Sequence, residues 1–251
     1  MEDTVLIETK SPVATVTLNR PERLNAINAD LLRDFSAALR EVNRDARVEV
    51  IVLRGAGRAF CAGDDLKEFD NQVRSPDKAR RFIEDIQAIT SLIMHSDKFV
   101  VGAIHGWAVG GGFEWVLNCD FTILAEGTRC FLPEAPLGLF VTGAITTLLP
   151  NLVGLQKAKE LLLFGDHIDA STALELGIVS RVVPADQVFA EAHRMAERIA
   201  ELPAVARRNV KRVTNQAFRL SLDGAMALET DATVEGFLDP ATPRRINATI
   251  S

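Results

Sequence analysis

The 251-residue sequence contains no tyrosine. Any reaction that needs a phenol as an acid, or as a hydrogen-bond donor to an oxyanion, is therefore excluded within this chain. Cysteine is scarce: Cys61, Cys119 and Cys130 make an odd number without paired spacing, which argues against a disulfide framework. The four histidines, His95, His105, His167 and His193, show no i,i+4 pair and no Cys-x-x-Cys neighbour, so no metal is expected. Positive charge is in deficit, with 28 Lys and Arg against 34 Asp and Glu and a net charge of −6. That balance is a poor match for nucleic acid, which needs a basic face. It does not exclude a bound anion, because a nest of backbone N–H groups can hold one on an acidic chain. The N-terminal residues lack a basic, then apolar, leader pattern, so no signal peptide is visible and the simplest compartment is the cytoplasm. Segment 135–156 carries no charge, but it holds Pro136, Pro150, three threonines and Asn151. It reads as a buried core segment, and no membrane partner is expected.

What remains is ordinary for a soluble globular protein, at 47% hydrophobic and 25% charged residues. The length accommodates one large domain, or a domain with a small appendage, and a sizeable core without staples. Residues 13–18 alternate in hydrophobicity like a half-buried strand. Asn28 or Asp30 can cap a helix whose apolar residues Leu31, Leu32, Phe35, Leu39 and Val42 recur at helical spacing. Residues 48–53, 99–104 and 120–124 read as further strands, with a charged helical region reaching about Met94 and a short helix from Phe113 to about Asn118. Strand and helix alternate, so the class is α/β, and a recurring β-β-α unit fits the pattern. From Gln156 onward the pattern is mainly helical, with Gly177 ending one helix and a short strand at 178–183.

Two glutamates bracket the most unusual segment. Gly110, Gly111 and Gly112 precede Glu114, and Glu134 follows Pro133 twenty residues later. Stacked glycines let a backbone come close to a ligand, and the helix that they open offers unpaired N–H donors to an oxyanion. On their own the glycines are equally consistent with a tight packing contact. Glu114 sits in the first helical turn, where acids also serve the helix dipole. Glu134 lies among apolar neighbours, where a carboxyl is either paired or has a raised pKa. Two such groups in one pocket can act as base and acid to add or remove water. A second loop, 59–66, carries Gly63 and can supply the other half of an oxyanion site, although alone it reads as an ordinary β-to-α turn. Cys61 has apolar neighbours and reads as an inert thiol. His105 lacks an evident Ser or Asp partner and reads as structural.

Together, segments 18–26, 59–66, 103–114 and 131–139, with Cys119 and Asp120, resemble the crotonase family, the enoyl-CoA hydratase/isomerase superfamily. A weaker match follows at Ala173, Leu176, Gly177 and Val179, and the resemblance spans about residues 5–235. It implies an α/β spiral of repeated β-β-α units over 1–195, and a helical C-terminal region over 196–251 that mediates trimers, often paired into hexamers. It implies an acyl-CoA thioester as partner, with no separate cofactor because CoA enters with the substrate. The thioester oxygen would lie between the backbone N–H groups of Asp64 and Gly111. Arg23, Leu24, Ala62, Asp65, Leu66 and Gly110 fall where relatives contact CoA or substrate. The acyl pocket would involve Trp115, Leu139, Val141 and Thr142.

Family hydratases carry two glutamates at positions matching Glu114 and Glu134. The implied activity is therefore reversible hydration of a 2-enoyl-CoA, with Glu114 activating water and Glu134 delivering a proton to Cα. Double-bond isomerisation by Glu134 alone is the close alternative, and a catalytically silent acyl-CoA-binding member is the rival of another class. The missing tyrosine counts against the naphthoate synthases and methylmalonyl-CoA decarboxylases. The dehalogenase nucleophile position is occupied by Thr142. The chain departs from the family at 140–147, where a Pro-Gly-x-Gly-Gly-Thr-Gln run is usual, and at the bulky Trp115. Both departures point to an acyl selectivity of its own. The Phe and Lys-Arg pattern that closes many members does not appear before Ser251, so the resemblance leaves two expectations: part of the CoA lid missing, or Arg244 and Arg245 in its place.

Overall fold

A computed structural model describes residues 3–68, 74–217 and 219–250. Its main sheet has six strands in the order β1 (Val5–Lys10), β2 (Val13–Leu18), β3 (Val50–Gly55), β4 (Phe99–Ile104), β6 (Phe121–Ala125) and β9 (Arg181–Val183). Only the β1–β2 pair is antiparallel. The central strands β3 and β4 are almost wholly buried and apolar on both faces because both faces are covered, whereas the edge strand β1 is largely exposed. Val50 and Val52 pack with Val188, Ala192 and Ala196 of α7 (Val188–Ala200). Ile51 and Leu53, displaced by one residue, join the opposite core with α1 (Ala29–Arg44) and α2 (Pro76–Met94).

The β-β-α unit is visible in a second, narrower layer. After β3 the chain makes an isolated bridge from Cys61 to Ala108 before entering α2. After β4 it forms β5 (Trp107–Val109) before α3 (Gly111–Asn118), and after β6 it forms β7 (Arg129–Phe131). β5 and β7 run parallel, and β8 (Ile168–Asp169) closes the small sheet. Ile27, just before α1, bridges Asp64 in the same way. Successive turns of the chain thus place a long strand, a short strand and a helix side by side, and each short segment ends beside the next.

Local chemistry fixes the helix starts. Asn28 caps α1 through the Leu31 N–H, and Ser75 caps α2 through the Lys78 N–H, with Pro76 at its first position. Asn25 is fully buried and joins two loops: it accepts from the Arg20 N–H and donates to the carbonyls of Ala56 and Ala59. The expected charged helix therefore begins at Pro76, and residues 69–73 of that region lie outside the described residues.

α4 (Ile145–Val153) lies in the uncharged segment 135–156, which is not the buried core expected: only Gly143, Ile145 and Leu149 in it are buried, and Leu137, Leu139, Phe140 and Leu152 are exposed. α5 (Leu155–Phe164) and α6 (Ala170–Glu175) follow. α8 (Ala204–Ala217), α9 (Leu222–Leu238) and α10 (Thr242–Ile250) end the described chain. α10 lies within the helical C-terminal region expected over 196–251. The boundary placed at 195/196 falls inside α7, which packs on β3, β4 and β6. The sheet-bound helix therefore continues past it, and the peripheral helices begin with α8. Lys211 ties α8 to the core: its ammonium donates to the carbonyls of Ile93 and Lys98 and to Asp120 Oδ2 at 2.7 Å. Among the described residues no helix is long and apolar enough to cross a membrane.

Candidate active site

The spiral brings the loop after β3 against the N-terminus of α3. Gly112 allows this approach, because a Cβ there would lie 2.6 Å from Cys61 Cβ. Gly110 has φ +52° and ψ −126°, a conformation that a side chain would strain. Its missing side chain leaves room for Glu134, whose Oε1 would be 2.8 Å from an added Cβ. Between these elements and α2 lies a cavity of about 490 Å³.

Asp64, Gly111, Glu114 and Glu134 all face this cavity. Among the described residues, neither the Asp64 N–H nor the Gly111 N–H reaches a protein acceptor. Two donors left open at a loop and a helix start can together serve an oxygen that gains negative charge.

The two glutamates have contrasting surroundings. Glu114 is buried at 1% exposure, and Thr142 holds both its oxygens. The Thr142 N–H donates to Oε1 at 2.6 Å and the Thr142 hydroxyl donates to Oε2 at 2.5 Å. Burial raises the Glu114 pKa, the two Thr142 bonds oppose that rise, and the charge of Asp64 adds to it. Glu134 has no such clamp: its Oε2 is shielded from solvent and has no partner. Burial, reinforced by the charges of Glu114 and Asp64, pushes Glu134 up to about 7. The unclamped acid is therefore poised to hold a proton near neutral pH, while the Thr142 bonds offset part of the upward push on the clamped one.

The adjacent aspartates divide in the same way. Asp65 turns away from the cavity, and burial, which would raise its pKa, is outweighed by Arg23 at 2.7 Å and Arg20 at 3.2 Å. Its N–H is already donated to Ile27, and that of Ala62 to Leu24. Leu24 sits at φ +52° on the turn that carries Arg23, and Leu66 is exposed. Arg23, Leu24, Ala62, Asp65 and Leu66 thus cluster at one rim and do not line the cavity.

Leu139, Val141 and Thr142 line it, together with Phe140. Trp115 does not. It is fully buried and packs edge-on against Phe35 at 5.0 Å, on the core side of α3. On α3, Glu114 points to the cavity, and Trp115, turned about 100° from it, points into the core against Phe35. The opposite wall comes instead from Phe82, Ile83 and Ile86 of α2, which the sequence reading missed. Their i, i+1, i+4 spacing was the available signal. Cys61 is buried, with its thiol pushed up to about 12 by desolvation. His105 Nε2 lies 2.8 Å from the Gly57 carbonyl, which accounts for it structurally. No group of three acids, histidines or cysteines among the described residues is placed to hold a metal ion.

The family model described as enoyl-CoA hydratase/isomerase matches residues 8–238. The chain belongs to this family. Among curated relatives, a probable enoyl-CoA hydratase of Rhizobium meliloti is 36% identical over 90% of this chain and 87% of its own length. A crotonyl-CoA hydratase of Syntrophomonas wolfei is 35% identical, covering 92% and 88%. The crystal structure of an enoyl-CoA hydratase from Bacillus anthracis superposes with a TM-score of 0.92, at 31% identity, over 98% of this chain and 95% of that one. The mixed α/β spiral with its helical C-terminal region is therefore a crotonase-type fold of the enoyl-CoA hydratase/isomerase family, and the chain is an enzyme family member acting on CoA esters.

Proposed function

We propose that this protein is an enoyl-CoA hydratase. The observation that carries the reading is the cavity in which two open backbone N–H groups face one clamped and one unclamped glutamate. The thioester oxygen accepts from the Asp64 and Gly111 amides. Glu114, held by Thr142, takes a proton from water as the oxygen of that water bonds to Cβ. The electron pair of the double bond moves to the thioester oxygen, and the two amides hold the resulting enolate. Glu134 then gives its proton to Cα, so that one carboxyl gains the proton that the other loses. No separate cofactor enters this scheme. The rim formed by the 62–66 loop and the Arg23 turn takes the CoA portion. With the Ala62 and Asp65 amides already engaged, the loop offers carbonyl groups, which suit the amino group of an adenine.

The exposed apolar residues Leu222, Met226, Val234, Phe237 and Leu238 on α9 favour self-association, as a trimer or a pair of trimers. The working compartment is the cytoplasm.

One observation favours the isomerase reading: both Glu114 oxygens already accept a hydrogen bond. Each carboxylate oxygen retains a second lone-pair direction, so water can still be bound. Incubation with crotonyl-CoA and with longer and cyclic 2-enoyl-CoAs separates the two. Loss of the conjugated-thioester absorbance is expected. No loss with any of them, alongside conversion of a 3-enoyl-CoA, overturns hydration in favour of isomerisation. Binding without either reaction leaves the silent acyl-CoA binder.

A further inference from the structure

The cavity holds a third carboxyl that the two-glutamate scheme does not use. Asp64 contributes its N–H to the oxyanion site, and its side chain faces the same cavity as Glu114 and Glu134. Asp65, the next residue, has two arginines on its carboxylate, whereas Asp64 has no hydrogen bond or ion pair there to any described residue. The groups around Asp64 offer no compensation. The α2 wall presents Ala79, Phe82, Ile83, Ile86 and Gln87, none of them titratable. The 139–142 segment is uncharged, α3 presents Glu114, and the turn after β7 presents Glu134. The loop's own Cys61 is a buried thiol, and Arg20 and Arg23 are committed to Asp65. Glu134 Oε2, shielded and unpartnered, shows that the chamber already holds acid that the protein does not neutralise.

We propose that Asp64 is the third acid of the reaction chamber and must carry a proton during turnover, because its ionised form opposes the negative charge that develops on the thioester oxygen. This rests on the acyl-CoA reading of the cavity. The oxygen bound by the Asp64 amide is only a few ångströms from the Asp64 side chain, and like charges at such separations interact by roughly 10-fold to 100-fold in an equilibrium at the effective dielectric of a protein. Burial pushes Asp64 up to about 6, so the free protein crosses from permissive to opposing just below neutrality. A bound thioester that excludes water moves that crossing higher. Asp64 thereby adds a basic limit of its own to the one set by Glu134.

The test is Asp64→Asn, which keeps the amide and the side-chain shape and removes the titration. The probe is acetoacetyl-CoA, a β-ketoacyl thioester that ionises to an enolate without needing turnover. The expected result is enolate binding at pH 8 tightened by about 10-fold or more relative to the unaltered protein, with a difference below about 3-fold at pH 5. The pH profile of hydration should extend to higher pH in the same variant. Equal affinities at both pH values, or a uniform loss at both, would overturn the proposal. An Asp64→Ala variant that behaves like Asp64→Asn supports charge as the cause. If only the Asn variant binds more tightly, an amide contact is responsible and the proposal fails. Absence of binding by any form, the unaltered protein included, overturns the acyl-CoA reading, and this proposal with it.

Discussion

Replacing Glu134 by Gln should stabilise the fold and disable it at once. The folded carboxyl titrates at about 7, against an ordinary value of 4.5. The folded protein therefore holds this proton more tightly than the unfolded chain does. The stabilising contribution is full below about 4.5 and is lost as the pH rises through about 7. That difference corresponds to at most ~3 kcal/mol. Glu134 is partly exposed, so solvent screening reduces the usable part to ~1–2 kcal/mol. Gln keeps the shape and has no charge to desolvate. Urea denaturation followed by the fluorescence of the two tryptophans should show near-equal stability at pH 5, with the variant ahead by ~1–2 kcal/mol at pH 8. Hydration should fall by roughly 10²–10⁴-fold at both pH values, because the proton for Cα is gone. A stability difference independent of pH would refute the reasoning, even if activity were lost.

Thr142→Val should remove the hydroxyl donor while keeping the N–H bond to Glu114. Because a charge-assisted hydrogen bond contributes ~1.5–3 kcal/mol, kcat/KM should fall by about 10-fold or more, with the acidic limb of the pH profile shifted upward and Thr142→Ser restoring both. An unshifted profile would reduce Thr142 to a packing residue. Lys211→Met should leave Asp120 as an unpaired buried charge and cost ~3–5 kcal/mol in chemical denaturation, most of it recovered when Asp120→Asn is added. A cost below ~1 kcal/mol would mean that α8 is not held by this pair.

The sequence made the chemistry-bearing backbone legible because glycine has so few roles. Gly110, Gly111 and Gly112 before Glu114 marked a close approach, and a Cβ on each would meet an identifiable neighbour, Glu134, Ile27 and Cys61 respectively. The Asn28 cap and the apolar stripe of α1 were equally readable, since both depend on residues within one or two turns. What depended on packing between distant segments was not. β7 has three residues, and β8 has two, too short to show a period. The family resemblance points Trp115 to the acyl pocket, whereas packing against Phe35 turns it into the core. The α2 wall lies some thirty residues away in sequence and meets Glu114 only through the spiral. The opposite fates of Asp64 and Asp65 likewise follow from which carboxyl can reach Arg20 and Arg23, a fact of three dimensions.

The segment after Glu134 has two duties that are hard to separate. Phe140 and Val141 face the cavity, where on the proposed reading they bound the acyl space, and Thr142 is the only described residue hydrogen-bonded to Glu114's carboxylate. Gly143 follows at φ +59°, and a Cβ there would lie 2.9 Å from Glu114 Cβ. A change that reshapes this wall therefore moves the residue that holds Glu114, the proposed base. A larger side chain at 141 is expected to alter chain-length preference and kcat together, because a displacement of even a few tenths of an ångström is large against a 2.6 Å hydrogen bond. Phe82, Ile83 and Ile86 line the opposite wall from α2 and hold neither glutamate. Acyl selectivity can be altered from that side with the Thr142 clamp intact. The α2 face is thus the route by which substrate range and proton chemistry can vary independently in this fold.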